Sequence, residues 1–435
     1  MSESAYFHFP VILTQFTPSH NLSYNFWMNF DGTKKILVIK LRHIGDVLLT
    51  VPAFRALREN FREAHISALV NSGTEEVLKG NPLIDEILLF ERSIKGLSPL
   101  KRYLSEAGFL RRLRDKGFDM TVDLTGGDRP AVISFASGAR YRLGWRPKKG
   151  FIGKKRLYTH LSSPEGRRHM ALQNLDVVSQ YGIHTENLSV DFHIPEEARM
   201  FVKKILEENN PPPPLSIPPL VRGDTEGLKG GEAGLRDTVV HIHPTSRWLF
   251  KCWKDEYMAE VIGRLLDQGV KVVVTSSPDP KEINKAKRIL SFIPSRITHH
   301  ASRLIDLCGK TTIKQLGAAS EAADLFFGVD SAPMHIAAAV GTPVVALFGP
   351  SGAFHWGPWD NESSRLTAHG SQIENPYAQR NGIQRFGIHT VIQRDWDCIP
   401  CGSDGCGGSK MSRCLEDITV DEVKNILTEK LKEAR

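Results

Sequence analysis

The chain has 435 residues, 41% hydrophobic and 24% charged, too many for one ordinary core and suited to two domains of roughly 150 to 200 residues each. No apolar run approaches the ~20 residues needed to cross a bilayer, so no transmembrane helix is expected. The net charge of +7 favours an anionic partner, whether nucleotide, phospholipid surface, phosphorylated glycan or nucleic acid, without choosing among them.

The N-terminal "MSESAYFHFPVILTQF" has no positive n-region and is interrupted by Pro10 and Gln15, which argues against a signal peptide and for a cytoplasmic protein. Residues 1–33 show no clean periodicity and read as a poorly ordered extension, with Met28 just ahead of the first strand. From Lys35, short Val/Ile/Leu-rich runs alternate with helix-length amphipathic stretches: "ILVIK", Val47 to Asn60, "HISALV", "EILLF", a basic helix around 100–116, then "DMTVDL". This is the pattern of parallel strands with helical crossovers, and it defines a first α/β lobe over 34–200.

Residues 209–236, rich in proline and glycine, can bury almost nothing and read as a linker or insertion. The alternation restarts at "TVVHIHP", with helices expected at about 254–268, 280–291 and from Ala332, and strands at "VKVVVTS", "LIDLCG", "DLFFGVD" and "PVVALFGP". A second doubly wound lobe therefore occupies 237–370. A Cys-containing tail with a C-terminal helix fills 371–435, and its apolar stripe of Val420, Val423, Ile426, Leu427 and Leu431 is expected to pack across both lobes. Two such lobes place a ligand at the carboxyl ends of their strands, in the cleft between them.

Three stretches at strand ends carry chemistry. In "KLRHIGDVLLTVP", residues 40–52, Asp46 follows a buried strand and is either a helix cap or a working carboxylate. In "HPTSRWLFKCW", residues 243–253, Thr245, Ser246 and Lys251 offer two hydroxyls and a cation, a donor set suited to a diphosphate. In "FFGVDSAPMHIAAAVGTPVVALFGPSG", residues 326–352, Asp330, Ser331 and Pro333 signal a helix start whose first-turn amides suit a pyrophosphate, with His335 in that turn. Asp330 and Ser331 as plain caps, and His335 as a packing residue, are the competing reading.

Together these stretches resemble glycosyltransferase family 9, the ADP-heptose:lipopolysaccharide heptosyltransferases. The likeness rests on Gly45-Asp46 with the Leu-rich stretch to Pro52, and on Asp330, Ser331, Ala332, His335, the Ala337 to Ala339 run and Phe348-Gly349. The "TSRWLFKCW" segment is most like the heptosyltransferase III branch. The resemblance implies a GT-B type fold, two Rossmann-like doubly wound lobes facing a central cleft. It implies an inverting transfer of heptose from ADP-heptose to a phosphorylated lipopolysaccharide inner-core acceptor, with no cofactor required for the chemistry. Asp46 would be the general base. Thr245, Ser246, Lys251, Asp330, Ser331, Ala332 and His335 would bind the donor, with Glu282 reaching the ribose; Asp279 is the neighbouring alternative. A related transferase using another nucleotide sugar is the alternative within the class.

Residues 140–156 hold eight Lys or Arg, interleaved with Tyr141, Trp145 and Phe151. The resemblance gives Arg140, Arg142, Arg146 and Lys148 to the acceptor and the lobe to peripheral contact with the cytoplasmic face of the inner membrane. No nucleic acid is expected, because a basic nucleic-acid-binding protein has no use for the Asp330 to His335 element. Cys398, Cys401, Cys406 and Cys414 have a spacing that suits a structural zinc, although the second half lacks a close pair, so reduced thiols stay open as the other reading.

Overall fold

The computed structural model describes residues 30–91, 98–163, 166–209, 238–293, 302–366 and 375–433. Most of the N-terminal extension and nearly all of the Pro/Gly-rich segment lie outside the described residues.

The first lobe runs β1 (Lys35–Lys40), α1 (Ile44–Leu48), α2 (Val51–Asn60), β2 (His65–Asn71), β3 (Glu86–Phe90), α3 (Pro99–Asp115), β4 (Met120–Asp123), α4 (Asp128–Ala136), β5 (Tyr141–Trp145), β6 (His160–Ser162) and α5 (Met170–Ser179). Its six strands are all parallel, in the order β3-β2-β1-β4-β5-β6. β1 shows why: Ile36, Leu37, Val38 and Ile39 are all fully buried, because helices cover both faces of the sheet. Ile36 and Val38 face the core shared with α2 and α5, whereas Leu37 and Ile39 face the cluster under α3 and α4.

α6 (Glu196–Glu208) then crosses to the second lobe, where it packs on α9, and it runs unbroken through position 200. The second lobe comprises β7 (Val239–His243), α7 (Asp255–Asp267), β8 (Lys271–Ser276), α8 (Pro280–Ser291), β9 (Leu304–Cys308), α9 (Ile313–Glu321), β10 (Leu325–Val329), α10 (Ala332–Ala339), β11 (Val344–Leu347), α11 (Ala353–Trp356), α12 (Asn361–Leu366), β12 (Gln384–Phe386), β13 (His389–Ile392), α13 (Arg413–Glu416) and α14 (Val420–Glu433). Its sheet order is β12-β13-β11-β10-β7-β8-β9, parallel except for β12 at the edge.

Two elements differ from expectation. β12 and β13 extend the second sheet from within the tail, since the short apolar run at Thr390 to Ile392 pairs with β11. The stripe on α14 does not bridge the lobes: Val420, Val423, Ile426, Leu427 and Leu431 all join the core of the second lobe, beneath α7. Its apolar stripe is taken up by α7 and the rest of the second-lobe core, so it does not reach the other lobe.

Both lobes reverse their strand order beside the first strand laid down, between β1 and β4 in one and between β7 and β10 in the other. Such a switch point splays the following loops apart and opens a crevice at the carboxyl ends. α1 follows β1 and α10 follows β10, and these two helices pack against each other, so the two crevices face one another.

Candidate active site at the facing strand ends

Asp46 occupies the first turn of α1 but does not cap it. The cap position belongs to His43, which makes no side-chain capping bond, and the Oγ of Thr50 donates to the carbonyl of Val47 at 2.6 Å. Among the described residues the Asp46 carboxylate has no hydrogen-bond or ion-pair partner, and it is half-buried. Two groups feel its charge, Lys40 beneath it and His335 from the opposite lobe. The capping reading therefore loses its support, and a carboxylate with open lone pairs faces the cleft.

His335 lies in the first turn of α10, buried, with its Nδ1 unpartnered. Burial pushes its pKa down to about 4, against the opposing pull of Asp330 and Asp46, so the ring is neutral near pH 7. A buried polar atom without a partner is costly, and one aimed into a cleft marks a place for a ligand. Ser331 precedes the helix without capping it; its Oγ donates to the carbonyl of Val329 at 3.2 Å. Asp330 is occupied elsewhere: its Oδ2 receives the Lys251 ammonium at 2.6 Å, with the carboxylate side chain only 8% exposed.

That pair joins the loop after β7 to the loop after β10. Lys251 sits in a short 3₁₀ turn, half-buried and therefore within reach of the cleft. Thr245 is fully buried and donates to Glu282 Oε2 at 2.8 Å, while Ser277 donates to Glu282 Oε1 at 2.6 Å. The structure thus separates the two acids near 280. Asp279 caps α8, accepting from the Lys281 amide at 2.8 Å, whereas Glu282 turns inward onto the β7 loop. Ser246 is buried and accepts from the Trp248 amide at 3.3 Å. Trp253 anchors the loop by donating from Nε1 to the Ile418 carbonyl, and the adjacent Cys252 thiol is pushed up to about 11 by burial, which keeps it protonated and inert.

Thr245, Ser246, Lys251, Glu282, Asp330, Ser331, Ala332 and His335 accordingly share one junction with Asp46. The basic residues do not all join them. β5 points its carboxyl end at the cleft, so Arg146 and Lys148 follow on that side and are exposed. Arg140 and Arg142 lie at its amino end, on the far side of the sheet. Arg142 is held there by the Leu157 and Ala139 carbonyls, and Arg140 stacks on Tyr141. A groove of about 440 Å³ between α6 and α9, lined by Arg199, Leu206, Lys271 and Glu321, lies outside the junction and holds none of these residues.

One polar cluster escaped the sequence. Lys40, buried at the end of β1, donates to the Leu124 carbonyl and to Asn174 Oδ1, both at 2.9 Å, and burial pushes its pKa down to about 8. Asp123, at the end of β4, accepts from the Tyr158 hydroxyl at 2.5 Å, and burial raises its pKa. This knot ties β1, β4 and α5 together under Asp46. Its signal was Lys40 itself, a lysine closing an otherwise apolar buried strand.

The zinc expectation finds no support. Among the described residues no three metal-ligating side chains come together. Cys398 and Cys401 are exposed on a turn, Cys406 is half-buried, and Cys414 is buried on α13, where its sulfur stands near Gly349. Burial pushes the Cys414 thiol up to about 11, and Cys406, Cys401 and Cys398 stand near enough to push it the same way. The segment is instead tied to the site loops: Ser412 Oγ donates to the Phe250 carbonyl at 2.6 Å and the Gly402 amide to the Pro350 carbonyl at 2.9 Å.

Comparison with known proteins gives one answer. A model of glycosyltransferase family 9 (heptosyltransferase) matches residues 107–381. Lipopolysaccharide heptosyltransferase 3 of Escherichia coli strain K12 is 30% identical over 321 residues, 73% of this chain and 83% of that one. The crystal structure of a glycosyl transferase family 9 protein from Veillonella parvula shares the fold at a TM-score of 0.67 and 20% identity, covering 94% of this chain and 99% of that one. The E. coli ADP-heptose lps heptosyltransferase II does so at 0.63 and 19%, covering 92% and 99%. The fold is GT-B, and the chain belongs to glycosyltransferase family 9, the heptosyltransferases.

Proposed function

We propose that this enzyme transfers heptose from ADP-L-glycero-D-manno-heptose to a hydroxyl of the lipopolysaccharide inner core, as a heptosyltransferase III-like enzyme of the cytoplasmic face. The observation that carries this reading is the unpaired Asp46 carboxylate, set across a closed lobe junction from the Lys251–Asp330 pair and the unpartnered His335. The relatives' names, lipopolysaccharide heptosyltransferase 3 and ADP-heptose heptosyltransferase, support the choice of donor and acceptor.

In the proposed reaction the acceptor oxygen attacks the anomeric carbon and its proton passes to Asp46. The bond from that carbon to the diphosphate oxygen breaks on the opposite side, and its electron pair leaves with ADP. One displacement inverts the configuration and needs a single carboxylate, since the diphosphate departs without protonation. Its growing charge is met by the Lys251 ammonium, the Ser246 hydroxyl and the N-terminal end of α10 at Ser331 and Ala332, while Thr245, whose proton goes to Glu282, serves the donor site through that carboxylate. His335, neutral, offers a hydrogen bond rather than a charge. Asp330 holds Lys251 in place, and Glu282, fixed by Thr245 and Ser277, faces the ribose. Arg146 and Lys148 are the basic residues suited to acceptor phosphate, and the basic first lobe suits contact with the membrane surface that carries the acceptor.

The test offers purified protein a panel of nucleotide sugars with truncated core glycans and follows release of free nucleoside diphosphate. ADP released only with ADP-heptose and a core acceptor is the expected result. Turnover with a different nucleotide sugar alone would overturn it.

A further inference from the structure

The loop that carries Ser246 and Lys251 also carries an indole that the proposed reaction does not use. After β7 the chain buries Thr245 and Ser246, then turns outward. Trp248 is 46% exposed and Leu249 43%, with Arg247 exposed beside them, before Phe250 and Lys251 turn half inward again. Single exposed apolar residues are ordinary on a protein surface. This one differs in how firmly it is held and in what it stands next to.

The Trp248 carbonyl accepts from the Lys251 amide at 2.8 Å, the Leu249 carbonyl from the Cys252 amide at 3.0 Å, and the Trp248 amide donates to Ser246 Oγ at 3.3 Å. The tail pins the same turn from outside, through Ser412 Oγ on the Phe250 carbonyl at 2.6 Å and the Ile418 carbonyl under Trp253 Nε1 at 3.1 Å. The ring itself is flanked, with Phe250 6.2 Å away at a 32° tilt and the Arg247 guanidinium 5.7 Å from its centroid. A side chain ordered in advance loses little entropy when it binds. Among the described residues its Nε1 has no hydrogen-bond partner, so that donor is open to a ligand.

Position follows from the geometry of the turn. Leu249–Lys251 is a 3₁₀ turn with Trp248 at its cap, and three residues per turn bring Trp248 and Lys251 up on one side, about 6 Å apart along the axis. Lys251 is fixed at 2.6 Å on Asp330, beside the start of α10. One end of the turn therefore belongs to the proposed diphosphate site, and the other opens to solvent at the rim of the cleft. A donor between Lys251 and Asp46 lies beneath that rim, whereas an acceptor whose hydroxyl reaches Asp46 has to run out past it. Met411, 58% exposed and next to the Ser412 that holds Phe250, extends the apolar ledge.

A sugar ring fits such a ledge. The C–H bonds on the flat face of a pyranose meet the negative face of an indole, while its hydroxyls stay at the edge, within reach of Nε1–H and Arg247. Trp248, Leu249 and Met411 fall far short of the roughly 20 to 30 residues a side of a stable protein interface. Lys410, beside Met411, is paired with Asp404 at 2.8 Å, so the ledge is poorly charged for nucleic acid. We propose that Trp248, supported by Leu249 and Met411, stacks on a ring of the acceptor glycan adjoining the sugar that carries the attacking hydroxyl. The acceptor is then held from both lobes, by charge at Arg146 and Lys148 of the first and by stacking at Trp248 of the second. This rests on the proposed function for the class of substrate, a glycan, and on the turn itself for the placement of the indole.

The test is steady-state kinetics of the full-length protein with ADP-heptose and a deacylated, lipid-free inner-core oligosaccharide, for the wild type, Trp248→Ala and Trp248→Phe. Trp248→Ala is expected to raise the acceptor KM about tenfold, the effect of losing one aromatic contact, with the loss falling on KM rather than on kcat. ADP affinity and melting temperature should stay native, because the side chain is exposed and Lys251 is held by Asp330. Trp248→Phe, which keeps an aromatic face, should recover most of the loss. Calorimetric titration of the oligosaccharide into the ADP complex should give the same ratio without turnover. An acceptor KM within twofold of the wild type in Trp248→Ala overturns the proposal, as does an equal loss of ADP affinity, which would mean that Trp248 only shapes the Lys251 turn. Turnover of the wild type with a glycan of another class alone would count against the proposed function instead; the Trp248→Ala ratio is then read on that glycan, where a native KM overturns the stacking.

Discussion

Gly45 of the first lobe and His335 of the second are in contact so close that a methyl group between them has no room: an added Cβ at Gly45 would lie 2.8 Å from His335 Cδ2. The ring is buried and cannot swing aside as the end of a flexible chain would. Gly45→Ala is therefore expected to push α1 and α10 apart, at a cost of about 1 to 3 kcal/mol in stability. It should also lower turnover by more than tenfold through misplacement of Asp46. Thermal melting and steady-state kinetics check both; native values for each would mean that the junction is loose in solution.

Asp46→Asn preserves shape and removes the ability to take a proton. The expected outcome is near-native melting and ADP affinity with turnover reduced on the order of 10²- to 10⁴-fold, the usual contribution of a general base. Because the side chain caps no helix, little stability should be lost. Turnover within a few-fold of the wild type would end the catalytic assignment.

Lys251→Ala and Asp330→Asn dissect the 2.6 Å pair. Lys251→Ala removes the cation proposed to meet the diphosphate and leaves a nearly buried carboxylate uncompensated, so it should weaken ADP binding at least tenfold and lower the melting temperature. Asp330→Asn leaves the ammonium present but unheld, and its larger effect should fall on turnover rather than on ADP affinity. Calorimetric titration of ADP into both variants separates these outcomes, and equal ADP affinity in wild type and Lys251→Ala would place the diphosphate elsewhere.

The buried histidines set a pH dependence of stability. Burial lowers the pKa of His335 to about 4 and of His169, His241 and His243 to about 3. Between pH 6.5 and those values the unfolded chain binds protons that the folded chain refuses, so stability falls as pH falls through that window and is level above it. His335 alone accounts for roughly 3 kcal/mol of loss by pH 4, at about 1.4 kcal/mol per pH unit. Melting temperature measured from pH 8 to 4.5 should stay flat at first and then drop below about pH 6. A flat profile down to pH 5 would show that these rings are protonated in the fold.

Much of this was legible in the chain because it is encoded over short range. The unbroken apolar runs of β1 and β10 announce strands buried on both faces, and Pro333 behind Ser331 announces a helix start. A strand end followed by such a start is where an α/β lobe keeps its chemistry. That grammar puts Asp46, Thr245 and Asp330 at strand ends, whereas the roles expected of them and of Lys251 come from the resemblance to glycosyltransferase family 9.

What the tertiary structure decided depends on which end of an element a residue occupies and on what the other lobe places there. Arg142 and Arg146 are four residues apart, yet at about 3.3 Å per residue the strand between them carries one roughly 13 Å from the other, from the amino end of β5 to its carboxyl end. Asp279 and Glu282 differ by three positions on a helix start, and only packing against Thr245 showed which is a cap and which is turned to the site. The stripe on α14 told of burial but not against which lobe, since an apolar face is satisfied by any matching surface. The requirement for glycine at position 45 has no cause within its own lobe: it comes from His335, nearly three hundred residues away, and no local pattern could carry it.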